Sequence, residues 1–487
     1  MSQVAAGDLV TLYRVGDFVD LCRGPHVPSS RYVRELDLTH TSSVLWREEA
    51  IAHDHSRHPE AAHLQRIYGV AFPDKRAMKS YRSAMARAEE SDHRRLGKEQ
   101  ALFLQHPHCP GSPMFLPHGT RILNALQTLI RGEYHKRGYE EVITPTLYHS
   151  SLWHQSGHWE NYKEHMYTLH DGKQEENPTC LKPMNCPAHC LLFAHTTRSY
   201  RDLPIRYADF GTLHRNELEG ALSGLTRVRR FHQDDAHIFC REDQIEQEVD
   251  DCLDFMRSVY GLFGFQFSVS LSTRPERFLG EPEAWDRAEA QLRSSIERAG
   301  MKWSLKAGDG AFYGPKIDVT VLDAHHREHQ CATIQLDFQL PQRFDLNYHS
   351  SEGEMERPVI VHRAILGSLE RMFAVLIEHY NGSWPLWLSP RQVLVCSVSE
   401  SSNEYAGEVR TMLRNRGLHV DEDLSDNTLK KKIKDATSLR YNFVVVVGDA
   451  EAEKKTVSYR ERGSHQLHSL ATQVFEDMLA EQVRSRV

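Results

Sequence analysis

Two apolar runs, residues 317–322 and 331–336, read as strands and stand close together with only a short polar stretch between them. So short a connection pairs strands antiparallel, because a parallel pair needs a crossover of roughly a dozen residues. From Glu140 to about Pro390, strand-like runs alternate with charged helical stretches and loops, which predicts one large domain over residues 109–388. The expected class is α+β, an antiparallel sheet with flanking helices.

The flanks read differently. Residues 1–75 mix short strands with turn residues; Leu9, Val10, Leu12 and Tyr13, then Phe18, Val19 and Leu21, predict a hairpin turning at Gly16-Asp17. Residues 75–104 are rich in charge and helix formers and lack proline, which predicts a solvated connecting helix and a linker over 76–108. After the turn cluster 106–113 comes an amphipathic helix, with Ile122, Leu123, Leu126, Leu129 and Ile130 at helical spacing, ending near Gly138. Residues 140–144 read as a strand stopped by Pro145. Beyond Pro385 and Pro390 the order is strand (392–398), helix (403–417), strand, helix (429–438) and strand (442–447). That alternation predicts a small α/β domain over 389–487 with a mostly parallel sheet.

Composition excludes several function classes. Lys plus Arg number 59 against 67 Asp plus Glu, a net charge of -8, so any nucleic-acid contact must be local. The longest obvious apolar run, 443–447, is far below the roughly 20 residues that span a bilayer, so no membrane association is expected. Nine cysteines without paired spacing fit a reducing intracellular compartment, and no targeting segment is visible in the first twenty residues. Histidine is abundant, with 30 residues.

Three places put Cys or His in a rigid context: Cys186 in the segment from Met184 to His189, at a proline-fixed turn; His237 beside Gln233 and Asp235; and His362 before Arg363. Cys186, His237 and His362 would make a zinc site with three protein ligands and one open position. Spacing alone leaves a second reading open, in which the histidines are hydrogen-bonded core residues and Cys186 a small buried hydrophobe. Arg215 and Arg227 fall on opposite limbs of a predicted hairpin around Glu217, with Arg371 on a following helix after Gly367. Three guanidiniums so arranged could stabilise charge developing at an α-phosphate; singly, each also reads as a surface ion-pair arginine.

These pieces stand in the order and form of the class II aminoacyl-tRNA synthetases, and the chain specifically resembles the threonyl-tRNA synthetase family. The helix to Gly138 with Gly138 to Pro145 resembles class motif 1, Arg215 to Arg227 motif 2, and Leu366 to Arg371 motif 3. The segments MNCPAH, QDDAHIF, GAFYGPK, CATIQLDF and VIVHRAILGS are similar to the threonine enzymes. The resemblance implies a class II antiparallel sheet, a C-terminal anticodon-binding domain and a partial N-terminal editing domain. It implies zinc on Cys186, His237 and His362, completed by the amino and hydroxyl groups of L-threonine, so that valine is rejected. It places Met184, Gln233, Asp235, Tyr313 and Gln335 at the substrate, and Arg215, Glu217, Arg227, Gln330 and Arg371 at ATP. Arg215, Arg371 and Lys316 are the implied catalytic groups, with Mg2+ entering alongside ATP. The implied reaction is formation of threonyl-adenylate, then transfer to the 3′ end of tRNA(Thr), by a homodimer built through motif 1 in the cytoplasm or mitochondrial matrix.

Ala188 and Arg229 stand where many bacterial members carry glycine, which resembles eukaryotic members. Cys22 and His26 resemble the second half of the family's editing site, and the first half is not seen ahead of them. Editing of seryl-tRNA is therefore expected to be absent or impaired. In the last domain, Lys430, Lys431, Lys432 and Lys434 predict a local basic surface, with Asn427 and Arg462 as base readers. The alternative function is a catalytically silent, synthetase-like protein that binds tRNA or a regulatory partner.

Overall fold

A computed structural model describes residues 11–22, 24–45, 63–169, 176–322 and 328–486. The chain divides into two compact units, Met1–Glu89 and Glu90–Val487. In the first, β1 (Leu12–Val15) and β2 (Phe18–Leu21) form the expected hairpin about Gly16-Asp17, with Leu9 and Val10 outside the described residues. A second antiparallel pair, β3 (Glu35–Leu45) and β4 (His63–Phe72), is followed by α1 (Lys75–Ser91). Arg82 of α1 donates to Asp37 of β3 at 3.1 Å.

The charged stretch 75–104 is not one solvated helix. It breaks at Asp92, whose carboxylate caps α2 (His93–Glu99) by accepting from the Arg94 N–H. His93, Leu96 and Gly97 of α2 are buried, so the apolar residues scattered among the charges decide the packing. The amphipathic helix appears as α3 (Pro117–Lys136), and its five spaced apolar residues are all buried, as the 3.6-residue period requires. The strand expected at 140–144 shrinks to β5 (Glu140–Glu141). A short α4 (Cys186–Ala194) begins at the cysteine itself, so Cys186 sits at a helix start, not in an isolated turn. Two strands precede the arginine-bearing loop, β6 (Ile205–Asp209) and β7 (Thr212–His214).

Seven further elements complete the central layer: β8 (Arg230–Cys240), α5 (Ile245–Phe263), β9 (Phe267–Ser272), α6 (Pro282–Arg298), β10 (Trp303–Lys306), β11 (Lys316–Leu322) and β12 (Glu328–Asp337). They are followed by β13 (Val359–Ser368) and α7 (Leu369–His379). The sheet order is β10-β9-β11-β12-β13-β8-β6-β5, with β7 pairing on β8. Among the described residues only β10 on β9 and β5 on β6 run parallel in this sheet; β11 and β12 pair antiparallel as their short connection demands. The helices α3, α5 and α7 bury their apolar stripes on one face of the sheet in a single core, which leaves the opposite face of β8, β12 and β13 to line a cleft.

The last domain has β14 (Val393–Ser397), α8 (Asn403–Asn415), β15 (Val420–Asp423), α9 (Leu429–Ser438), β16 (Phe443–Val447), β17 (Thr456–Glu461), β18 (His468–Ala471) and α10 (Thr472–Ser485). Its sheet order is β15-β14-β16-β17-β18. The first three strands are parallel, as read, but β17 and β18 are antiparallel, so the sheet is mixed. The connections before these two strands are too short to cross back over the sheet.

Candidate active site

Strand alternation sorts the residues of β8 and β13 onto two faces. Asp234 and Arg363 point into the core: the Asp234 carboxylate accepts from the Ile365 and Leu366 N–H groups, and the Arg363 guanidinium lies 4.3 Å from the Tyr139 ring and 4.8 Å from Tyr134. That packing locks the register in which His237 stands directly opposite His362, on the other face. Their rings are 4.5 Å apart. The Cys186 thiol reaches the same point from the start of α4, and the ligand atoms of the three residues lie within 4.8 Å of one another. All three are buried.

The surroundings of this trio suit a cation. His237 Nδ1 is 2.7 Å from His189 Nδ1, which leaves His237 Nε2 buried with no partner. His362 Nε2 is 3.0 Å from Asp337 Oδ2, which leaves its Nδ1 for a ligand role. Burial, with the Asp235 and Asp337 charges behind it, pushes the Cys186 thiol well up, and burial pulls the His237 imidazole well down. A buried thiol, two imidazoles and carboxylates nearby form a donor set for a borderline-soft divalent metal ion with one position left open. His189 and Asp337 were not singled out as supports by sequence reasoning. The segment carrying His189 was in view, but its ring acquires a role only through the 2.7 Å approach of His237, a residue far along the chain.

A cleft of about 820 Å³ opens over the trio. Met184, Gln233, Asp235, Tyr313 and Gln335 line it next to the metal ligands. Asp235 accepts from Asn185 Nδ2 at 3.1 Å, the Tyr313 hydroxyl donates to Gln335 Oε1 at 3.2 Å, and Gln335 Nε2 donates to the Gly314 carbonyl. Behind Met184, His158 Nε2 lies 3.1 Å from the thioether sulfur, and burial pulls this ring down to about 4. His158 was also missed in the sequence, where a lone histidine between glycine and tryptophan carries no spacing signal. Lys316 is not on the cleft wall; its ammonium lies 2.7 Å from Asp318 Oδ2 and 3.9 Å from Asp309.

The far end of the cleft holds Arg215, Glu217, Arg227, Gln330 and Arg371. The limb of the predicted hairpin that carries Arg227 is not a strand: β8 starts at Arg230, and Arg227 lies on the loop with an isolated antiparallel bridge to Ser223. Its guanidinium is 2.8 Å from Glu217 Oε2. Arg215 stacks 5.0 Å over Phe231. Arg371 donates to the Thr226 carbonyl at 3.1 Å and to the Gln330 carbonyl at 2.8 Å, and Gln330 Nε2 donates to Asp318 and to Thr333. Burial above all pulls the Arg371 guanidinium down, with the charges of Arg215 and Arg227 adding to it; the three cations line one space. Such a space favours an anion with several oxygens. Gly367 leaves the regular strand at φ +74°, and a Cβ there would lie 2.4 Å from the Cys331 carbonyl oxygen. Its absence of a side chain serves the close approach of β12.

The remaining sequence-derived residues are not among those that line the cleft. Cys22 and His26 belong to the first unit, exposed, with His26 Nε2 3.1 Å from Cys22 Sγ and its ring stacked on Tyr13. In the last domain, Lys430, Lys431 and Lys434 are exposed, but Lys432 turns inward and donates to the Ser397 and Asp423 carbonyls. The lysine run is therefore a basic surface of three, because α9 presents Lys432 to the sheet. Asn427 is exposed and accepts from Lys431 Nζ at 3.0 Å. The Arg462 fork is occupied, donating to the carbonyls of Trp384 at 2.7 Å and Ser383 at 3.2 Å. Among the described residues no helix is long and apolar enough to cross a membrane.

Three family signatures match the chain: the tRNA synthetase class II core domain (G, H, P, S and T) at residues 167–380, the anticodon binding domain at 392–482, and the threonyl and alanyl tRNA synthetase second additional domain at 10–68. The chain is 53% identical to the probable cytoplasmic threonine--tRNA ligase 1 of Dictyostelium discoideum over 95% of its own length and 64% of the relative's. It is 51% identical to the mitochondrial threonine--tRNA ligase 1 of Arabidopsis thaliana, over 97% of this chain and 65% of that one. It thus spans less than two thirds of these curated relatives. Among solved structures, the RNA binding domain of threonyl-tRNA synthetase from Cryptosporidium parvum is 50% identical, with a TM-score of 0.78 over 80% of this chain and 98% of that one. The putative threonyl-tRNA synthetase of Aeropyrum pernix is 30% identical, with a TM-score of 0.69 over 81% and 97%. At 50% identity over the aligned residues to a solved member that it covers almost completely, the chain belongs to the threonyl-tRNA synthetase family.

Proposed function

We propose that the chain is a threonine-tRNA ligase, which activates L-threonine with ATP and transfers it to the 3′ end of tRNA(Thr). The observation that carries this is one cleft with a buried Cys/His/His trio beside Asp235 at one end and three converging arginines at the other. An amino acid with a side-chain hydroxyl suits the first end and a triphosphate the second. Cys186, His237 and His362 would hold a zinc ion, which would supply Lewis acidity toward the amino and hydroxyl groups of threonine and so disfavour valine, which lacks the hydroxyl. Asp235 takes the hydroxyl proton's hydrogen bond, with Gln233, Met184, Tyr313 and Gln335 enclosing the side chain.

In the first step a carboxylate oxygen of threonine attacks the α-phosphorus, the bond to the β-phosphate oxygen breaks, and pyrophosphate leaves with its Mg2+. Arg215 holds the α-phosphate, Arg371 the γ-phosphate, Arg227 assists once released from Glu217, and Glu217 and Gln330 address the nucleoside. Lys316 acts after exchanging its Asp318 partner for the substrate. In the second step a terminal ribose hydroxyl of the tRNA attacks the carbonyl carbon and AMP leaves. The division 1–75, 76–108, 109–388 and 389–487, homodimer formation through the motif 1 region, and tRNA contact by Lys430, Lys431, Asn427 and the remaining donors of Arg462 belong to the same reading. Nine free cysteines, and relatives named as cytoplasmic or mitochondrial, support one of those two compartments.

Threonine-dependent pyrophosphate exchange into ATP tests the proposal. Exchange is expected with threonine, not with valine, and is lost on chelation and in Cys186→Ala. Equal exchange with valine, or full exchange after demonstrated metal loss, overturns the zinc assignment. Absence of exchange with tRNA binding retained favours the catalytically silent alternative.

A further inference from the structure

The loop between Glu217 and Arg229 carries Arg227, and its Thr226 carbonyl holds the Arg371 side chain. The tip of this loop rests on a residue outside the three class motifs. The Leu225 N–H donates to His93 Nε2 at 3.1 Å, and His93 Nδ1 lies 2.7 Å from Glu378 Oε1. Because Leu225 is the donor, Nε2 presents its lone pair and the ring proton sits on Nδ1, facing the carboxylate. Both side chains are almost wholly buried, at 2% and 1% exposure, so water does not substitute for either contact. Gly224 has φ +48°, and a Cβ there would lie 2.1 Å from His93 Nε2, so loop backbone and imidazole are in direct contact. Gln105 Nε2 donates to the Gly224 carbonyl at 2.9 Å, and the Gly111 carbonyl accepts from the Arg229 N–H. The segment ahead of α3 therefore grips the loop at its tip and at its return.

We propose that His93 is a positioning residue for ATP: it fixes the 223–227 turn, and through the Thr226 carbonyl sets where Arg371 and Arg227 meet the phosphates. The chain of contact is short. Glu378 on α7 orients the imidazole, the imidazole holds the Leu225 N–H, the next residue's carbonyl holds Arg371, and Arg371 stands near the start of the same α7. Both ends of the helix are thereby tied to one loop. The threonine end of the cleft has no part in this chain of contacts, so His93 acts on one substrate and not the other. The inference rests on the ligase reading for the identity of the ligand, but not for the grip on the loop.

The test uses the full chain with His93→Phe, which fills the space without either hydrogen bond, His93→Gln, which can donate to Glu378 and accept from Leu225, and Gly224→Ala, whose methyl would press on His93 Nε2 from the loop side without removing either His93 or Glu378. In pyrophosphate exchange His93→Phe is expected to raise KM for ATP about five- to tenfold, with KM for threonine within about twofold and His93→Gln recovering most of the loss. Gly224→Ala is expected to give the same ATP-selective pattern, which decides the question if His93→Phe does not fold. Independently of activity, hydrogen exchange of the peptide containing Leu225 is expected to quicken about tenfold in His93→Phe. The proposal is overturned if both substrates' KM values rise together, or if KM for ATP and the protection of Leu225 stay unchanged in His93→Phe and Gly224→Ala. If the wild-type chain shows no exchange, the ligase reading fails, and the protection measurement still decides whether His93 holds the loop.

Discussion

Asp337→Asn exchanges one oxygen for an amide nitrogen at a residue that has no exposed surface. Both carboxylate oxygens are committed as acceptors: Oδ2 stands 3.0 Å from His362 Nε2, and Oδ1 accepts from the Gln339 and Leu340 N–H groups at 2.7 and 3.0 Å. Asparagine can keep only one of these sides. If its amide nitrogen faces His362, the imidazole must shift its proton to Nδ1, the nitrogen that would otherwise bind the metal. Losing a partner of this kind typically costs 10- to 100-fold in metal affinity, or about 1.4–2.7 kcal/mol. If the amide nitrogen faces the two backbone groups instead, two buried donors lose their acceptor, at about 1–3 kcal/mol of fold stability. A zinc titration against a competing chelator, with thermal melts of the metal-free and metal-loaded chain, separates the two routes. The first weakens zinc while the metal-free melt holds; the second lowers both melts together. Zinc affinity within about twofold of wild type, with both melts unchanged, would refute the assignment of Asp337 as the support of His362.

Three other outcomes follow from particular residues. Burial holds the His158 imidazole at about 4, against about 6.5 in an unfolded chain, so the folded state prefers the neutral ring. Its contribution is complete above about pH 6.5 and is lost as pH falls toward 4, by up to about 3 kcal/mol; His158→Phe should flatten that acid limb in melts against pH, and an unchanged profile would contradict the cause given. Gly367→Ala forces a Cβ to 2.4 Å from the Cys331 carbonyl at φ +74°, and about 1–3 kcal/mol of destabilisation is expected by denaturant titration, with a loss under about 0.5 kcal/mol as the contrary result. Lys432→Ala should lower stability by about 1–3 kcal/mol, whereas Lys430→Ala and Lys431→Ala should leave it unchanged and each reduce the salt slope of tRNA binding by about one. The reverse pattern would place Lys432 on the RNA-facing side.

Local pattern and tertiary packing contributed different parts of this protein. A periodicity of 3.6 in Ile122, Leu123, Leu126, Leu129 and Ile130 was enough to specify α3 and its buried face, because which residues share a face of a helix is settled within two or three turns. Strands 317–322 and 331–336 were equally legible, since a short connection permits one kind of pairing. Charge density misled over 75–104, where Asp92 caps a new helix and a few apolar residues drive α2 into the core. It misled again at Lys432, where the chemistry of the side chain said nothing about which way α9 would turn it.

For the cleft, residue types and motif order in the chain named Cys186, His237 and His362, along with Arg215, Arg227 and Arg371. What they could not supply was register. His237 faces His362 because two strands far apart in the chain align through Asp234, Arg363 and the aromatic rings beneath them, and a slip of one residue would send both imidazoles into the core. The supports have the same origin: His189 against His237, Asp337 against His362 and His93 against Leu225 are contacts between distant segments, so no local spacing records them. The sequence by itself determined which chemical groups the chain carries and which local elements bear them. Only the tertiary structure decided which of those groups meet, because long-range register is set by the packing of the whole core.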